Sequence, residues 1–291
     1  MDAACGIAWL DGRFLPLAEA RISPLDRGFL FADAVYEVMP VYGARVYRLE
    51  EHLDRLDHSL REIRIDPPWP RGDWRRLCGG LVSRNGGGDL LLYLQVTRGA
   101  EDHRMHVPSG PLRPTVFGMA SRLAPLPADP QLRAAACITA EDTRWARCDI
   151  KSTTLLANVL LRWQAQDHGA GEAILLRNGM LTEGSSSSVH VVRDGRLVTP
   201  PQTRYLLPGT TRDVLTDIAP RCGIEVLTDE VGEAELRSAA EIVLASAGGG
   251  VRAVTRLDGR AVGAGLPGPV FCRLYETWLA TRDEFSSECR E

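Results

Sequence analysis

The chain has 291 residues, 44% hydrophobic and 25% charged, with a formal net charge of −4. These values supply a sizeable core, divided most economically between two domains of about 100–170 residues, and leave no basic footprint for nucleic acid or an anionic membrane surface. No apolar run reaches the roughly 18 residues that span a bilayer, and Met1–Leu10 lacks the regions of an export leader, so the chain reads as cytoplasmic. Cys5, Cys78, Cys137, Cys148, Cys222, Cys272 and Cys289 are scattered, odd in number and never in CxxC spacing. That argues against a disulfide framework or a zinc site and for a reducing compartment; Cys148 is expected to act as a small buried hydrophobe.

The first expected element is a hairpin, Gly6–Leu10 and Arg13–Leu17 about an Asp11-Gly12 turn. Phe29–Tyr47 is rich in aromatic and β-branched residues and reads as two strands turning at Gly43. Leu49, Leu53, Leu56, Leu60 and Ile63 then recur at helical spacing until Pro67-Pro68. A second helix is expected at 73–84, a central strand at Leu90–Thr97, a polar loop at Arg98–Pro108 and a strand at Thr115–Ala120. Three prolines within Leu123–Pro130 make a stiff connector, placing a small N-terminal α/β domain at 1–122 and a larger C-terminal domain at 131–291 that carries Lys151. In the latter a strand at Ala134–Ala140 precedes a helix running to about His168, with Leu155, Leu156, Val159, Leu160 and Trp163 on its inner face and Ser152–Thr154 as cap residues. Consecutive hairpins follow, Glu172–Arg177 with Met180–Glu183 and Ser185–Val192 with Arg196–Thr199, turning at Asn178-Gly179 and Asp194-Gly195. A helix opens at Pro208–Asp213 and closes at Gly223; strands flank Gly248-Gly249-Gly250, and a helix at 268–283 ends the chain. Strands mixed with helices without regular βα alternation indicate an α+β fold.

Several residues suggest chemistry, although each alone has an ordinary explanation. Lys151 lies before an apolar helix with no acid at i+3 or i+4; it is either a paired or snorkelling side chain or a Schiff-base amine. Glu183 is a solvated turn residue or a buried carboxylate, followed by four serines that offer hydroxyl donors to an oxygen-rich ligand. Thr210 is a plain N-cap or part of an anion-binding helix start with Thr211; Ser246–Gly250 is a turn or a backbone cradle. Arg55 falls off the leucine seam, where exposed arginines are commonplace. Together, an amine, a carboxylate, an arginine and two anion-friendly loops meet the needs of pyridoxal 5′-phosphate.

The order of motifs resembles the fold-type IV pyridoxal-phosphate aminotransferases, nearest the D-amino acid aminotransferase branch, over almost the whole chain. The resemblance rests on Asp26-Arg27-Gly28-Phe29, Asp33 to Val38, Glu51 to Leu56, Val96 to Gly99, Arg144-Trp145, Arg147 to Ser152, Leu181 to Ser187 and Gly209 to Val214. It implies a two-domain fold with a β-barrel-like C-terminal part and ping-pong transfer of an amino group between a D-amino acid and a 2-oxo acid through pyridoxamine phosphate. It implies Lys151 as the Schiff-base lysine and proton carrier, Glu183 against the pyridine nitrogen and Leu207 against the ring. Arg55, Thr210 and Thr211, with Ser246, Ala247 and Gly248, would hold the phosphate; no metal is implied. Tyr36, Arg104 and His106 would trap the substrate carboxylate, the loop residues reaching in from the other subunit of a homodimer. Two departures stand out: the Arg-x-His pair lies one residue further from Arg98 than usual, so His103 competes with Arg104, and the usual Ser-Thr-Thr phosphate loop is Ser246-Ala247-Gly248. Branched-chain L-aminotransferase, aminodeoxychorismate lyase and a catalytically silent phosphate-binding protein are the alternatives.

Overall fold

The computed structural model describes residues 6–288, so Cys5 and Cys289 lie outside the described residues. Its contacts divide the chain into two units: residues up to Pro125 with Ile150–Thr154 and the segment from Arg282, and Leu126–Asp149 with Leu155–Thr281. Lys151, expected in the C-terminal domain, belongs by its contacts to a segment that groups with the first unit instead.

The first unit runs β1 (Ile7–Leu10), β2 (Arg13–Pro16), α1 (Arg27–Phe31), β3 (Ala34–Tyr42), β4 (Arg45–Tyr47), α2 (Leu49–Glu62), α3 (Arg71–Arg84), β5 (Leu90–Thr97) and β6 (Thr115–Arg122). Its antiparallel sheet has the order Ser286–Ser287, β4, β3, β5, β6, β1, β2. Leu49, Leu53, Leu56 and Leu60 of α2 and Trp74, Leu77 and Leu81 of α3 bury themselves against Val35, Met39, Leu92 and Leu94 of the sheet. Truncating any one of those leucines to alanine removes about 2–5 kcal/mol. Phe29–Phe31, expected to be strand, turns as helix because Asp26 caps α1 through the Gly28 amide at 2.8 Å and Ala32 stops it in the left-handed conformation. Gly99 has φ +104, and a Cβ there would run into the Arg113 carbonyl, so glycine is required where the loop joining β5 to β6 begins.

The second unit runs β7 (Ala134–Glu141), α4 (Leu156–Asp167), β8 (Glu172–Arg177), β9 (Met180–Gly184), β10 (Ser188–Arg193), β11 (Arg196–Thr199), α5 (Thr210–Ile218), β12 (Val226–Thr228), α6 (Glu233–Ser238), β13 (Glu241–Ser246), β14 (Gly250–Leu257), the short β15 (Arg260–Ala261) and α7 (Pro269–Thr281). The strand order is β12, β11, β10, β13, β14, β7, β8, β9, with β15 paired to β14. Parallel pairing joins β7 to β8 and β14, and β11 to β12. Side chains of β7, β8, β9, β10, β11, β13 and β14 meet in one apolar cluster, so the sheet curls round its own interior and the fold is α+β. The strand β12 and helix α6 escape the sequence reading because three and six residues are too few for a period to register.

The helix after Lys151 departs from expectation in two ways. Its N-cap is Leu155 with no side-chain cap, because Ser152 and Thr153 spend their backbones on β3. Its apolar stripe faces outward: Leu156 is 72% exposed, Val159 46%, Leu160 60% and Trp163 59%, whereas Leu161 and Ala165 are the residues packed inward on β7 and β8.

Candidate active site

In the first unit Lys151 is seated by its backbone. Its amide donates to the Ser59 hydroxyl of α2 at 3.1 Å, and its carbonyl accepts from the Tyr36 amide of β3 at 2.9 Å. Thr153 then donates to Ala34 O at 3.0 Å, and Ser152 bridges Val35, which makes the segment a short added strand beside β3. The Lys151 amine makes no hydrogen bond among the described residues and stands over the Tyr36 ring, 4.3 Å from its centroid. Tyr36 in turn stacks on Tyr93, with ring centroids 5.7 Å apart.

Arg55, whose place off the leucine seam suggests a surface residue, is buried. The reason lies opposite it on β3: Glu37, wholly buried, receives Arg55 Nε and Nη2 in two 2.8 Å bonds and faces His52 Nδ1 at 2.7 Å. Burial works to raise the Glu37 carboxyl, but the Arg55 and His52 interactions outweigh it and hold the group far below the usual range. Burial likewise lowers His52 below its ordinary value. Arg55 is therefore fixed in direction by a charge that needs it, and the Glu of Val-Tyr-Glu-Val is the sequence signal for that burial.

Arg104 and His106 come together in the same unit on the ring of Phe31, at 4.7 Å and 5.5 Å. Among the described residues the His103 side chain takes part in no hydrogen bond, ion pair or ring contact.

In the second unit Glu183 is 6% exposed on β9, on the face that Leu181 turns into the core. One oxygen accepts from Arg144 Nη1, and the other accepts from the Leu207 amide at 3.1 Å. Arg144 is clamped by Asp142 at 2.8 and 2.9 Å, and Asp142 also meets Arg177 at 3.2 Å. Burial raises the Glu183 carboxyl above its ordinary value; the Arg144 guanidinium and the Leu207 amide oppose that rise. A bulge between Ile174 and Leu176 of β8 shifts the register opposite Glu183, a common device for re-aiming a strand residue. Arg144 carries part of the sequence resemblance without a role of its own there; its pairing becomes visible only once β7, β8 and β9 lie side by side.

Three of the four serines after Glu183 direct their hydroxyls at a carboxylate of the protein itself. The hydroxyls of Ser185, Ser186 and Ser187 all converge on the buried carboxylate of Glu172, the latter two at 2.9 and 3.0 Å, and so pin the turn that follows Glu183. Thr210 is not the N-cap: Gly209 is, without a side-chain cap, and Thr210 and Thr211 are the first helical residues of α5, at the positive end of its dipole. At the β13–β14 turn the Ser246 hydroxyl accepts from the Gly249 amide at 3.1 Å, while the amides of Ala247 and Gly248 donate to nothing among the described residues. Cys148 is buried and its thiol is pushed up to about 11, chiefly by burial, so it is a packing residue.

Within the second unit this set fits the cofactor expected from the sequence. Glu183 keeps lone pairs for a protonated ring nitrogen beyond the two donors that fix it, and two groups of backbone amides suit a phosphate.

The class IV amino-transferase family model matches residues 34–257. A D-alanine aminotransferase of Bacillus licheniformis is 38% identical over 260 residues, covering 89% of this chain and 91% of that one. Another, from Listeria monocytogenes serotype 1/2a (strain 10403S), is 35% identical over 274 residues and covers 94% of each. Among solved structures, the branched-chain aminotransferase of the archaeon Thermoproteus uzoniensis with norvaline superposes with a TM-score of 0.83 at 25% identity, over 97% of each chain. A match over most of the length, to family and relatives alike, places the chain in the class IV aminotransferase family.

Proposed function

We propose that the protein is a pyridoxal-phosphate-dependent transaminase that moves an amino group between a D-amino acid, with D-alanine the first candidate, and a 2-oxo acid. The observation that carries the D-amino acid reading is the pairing of Arg104 and His106 on one aromatic ring, which presents two cationic or donor groups together to a carboxylate. The likeness to D-alanine aminotransferases supports it.

The cofactor, when bound, supplies an aldehyde that accepts the amino group and a protonated ring that withdraws electrons. Lys151 would contribute the amine that holds it and would carry the proton at the substrate Cα. Glu183, held in place by Arg144 and the Leu207 amide, would face the ring nitrogen. Arg55, aimed by Glu37, and the amides of Thr210, Thr211, Ala247 and Gly248, with the Ser246 hydroxyl, would be the groups that hold the phosphate, and Leu207 the residue that packs against the ring. The Tyr36 hydroxyl joins Arg104 and His106 on the substrate carboxylate.

The working form we propose is a homodimer with shared sites. The bare apolar stripe of α4 supports it, as do Phe29 (75% exposed) and Val107 (75%) in the first unit. Among the described residues no helix is long and apolar enough to cross a membrane. The free thiols of Cys137, Cys148, Cys222 and Cys272 among the described residues suit a cytoplasmic setting.

A branched-chain L-aminotransferase is the second reading, favoured by the structural likeness. Assaying D- and L-amino acids against 2-oxoglutarate and pyruvate separates the two. Turnover of D-alanine without turnover of L-leucine is the expected result, and the reverse pattern ends the D-amino acid reading.

A further inference from the structure

The loop between β5 and β6 is held from beneath by one buried guanidinium. Arg27 of α1 donates from Nη1 to Met105 O at 2.6 Å and from Nη2 to His106 O at 2.8 Å, so it grips the backbone within the Arg-x-His motif. Its Nε donates to Asp33 at 2.9 Å, and Glu101 lies 3.4 Å away. Glu101 also accepts from the Ser109 amide at 2.7 Å and hydroxyl at 2.6 Å, which draws residues 101 to 109 into a closed loop. Phe31, the last residue of α1, stands at the centre: the Arg27 guanidinium is 4.9 Å from its ring centroid, that of Arg104 is 4.7 Å away, and the His106 ring is 5.5 Å away.

Two cations on one ring would repel each other, but Arg27 is matched by Asp33 and Glu101, so Arg104 keeps the charge available to an outside anion. An arginine has several rotatable bonds and needs a surface to hold it before the substrate arrives; the face of an aromatic ring provides one. We infer that Phe31 is a positioning residue for substrate binding, a platform that sets Arg104 and His106 side by side and excludes His103 from that role. The inference rests on the proposed reading of Arg104 and His106 as the carboxylate trap.

The test compares Phe31→Leu, Phe31→Tyr and Arg104→Leu in the cofactor-loaded enzyme. Phe31→Leu is expected to raise KM for the amino and the oxo substrate alike, by about five- to thirtyfold, with kcat held within about twofold. Binding of D-lactate, which carries the carboxylate but no amino group, should weaken by the same factor in calorimetry. Phe31→Tyr should restore both values, and Phe31→Leu added to Arg104→Leu should cost nothing more in KM. If Arg104→Leu itself leaves KM unchanged, the trap reading fails and the platform falls with it. If Arg104→Leu raises KM but Phe31→Leu does not, the trap stands and the platform alone is overturned. A fall in kcat without a rise in KM, or a tyrosine variant that fails to rescue, overturns it as well.

Discussion

Lys151 is fixed through its main chain, by Ser59 and Tyr36, and its amine carries none of that load. Lys151→Ala therefore leaves the segment seated on β3. The variant should fold with an unchanged thermal midpoint, lose transaminase turnover entirely and take up no cofactor mass after borohydride reduction. Wild-type turnover in that variant would refute the assigned role. The β13–β14 turn allows a gain instead of a loss. Ala247 offers its amide but no hydroxyl, and its backbone is outside the left-handed region, so threonine fits there. One added hydrogen bond to a charged group is worth roughly 1.5–3 kcal/mol. Ala247→Thr should thus lower the Kd of pyridoxal phosphate about tenfold or more when apoenzyme is titrated by absorbance; an unchanged Kd would remove this turn from the phosphate site.

At the level of single elements, β10 carries an unexplained cost. His190 is fully buried on it, with neither ring nitrogen hydrogen-bonded among the described residues, and its pKa falls from 6.5 to about 3, mainly through burial and secondly through Arg212. The folded protein keeps this ring neutral while the unfolded chain protonates it, so stability declines as the pH drops from about 6.5 toward 3. Replacing the ring with one of similar shape and no polar atoms relieves both effects. His190→Phe should raise unfolding stability by about 1–3 kcal/mol at neutral pH and by a growing margin on acidification, as read from denaturant midpoints. Equal stability of the two proteins at pH 5 and pH 7 would contradict this.

The same elements show what a sequence discloses. The leucine spacing of α2 is readable because the core that covers it is the sheet folded from its flanks. The stripe on α4 is equally readable as a helix, yet its side comes out wrong, since periodicity reports which face avoids water and not whose atoms cover it. The hydroxyls of Ser185, Ser186 and Ser187 look like ligand chemistry because their partner, Glu172, lies upstream on another strand and comes alongside only through pairing of β8 with β9. Arg144 and Glu183, 39 positions apart, stay unconnected in the sequence for the same reason. Lys151, Arg55 and Glu183 are reached through their resemblance to a family, and the contacts that orient them are not.

For the molecule as a whole, the outward stripe of α4 is the feature to test. Leu160 and Trp163 lie on it at 60% and 59% exposure, a large apolar area for a free surface. On the proposed dimer reading, Leu160→Glu combined with Trp163→Glu should convert the dimer into a folded monomer in sedimentation and abolish turnover, because each proposed site would then lack the other subunit's loop. A variant that stays dimeric at micromolar concentration would direct the search to another face.

The crossing of residues 150 to 154 into the first unit has an evolutionary and practical corollary. The chain visits that unit three times, so a break at the proline-rich connector yields no self-sufficient half: the downstream fragment would carry Lys151 without the strand on which it rests. Gene fission or fusion at that joint, ordinarily the easiest place to cut a two-part protein, is closed to this one unless both pieces are made together and reassemble.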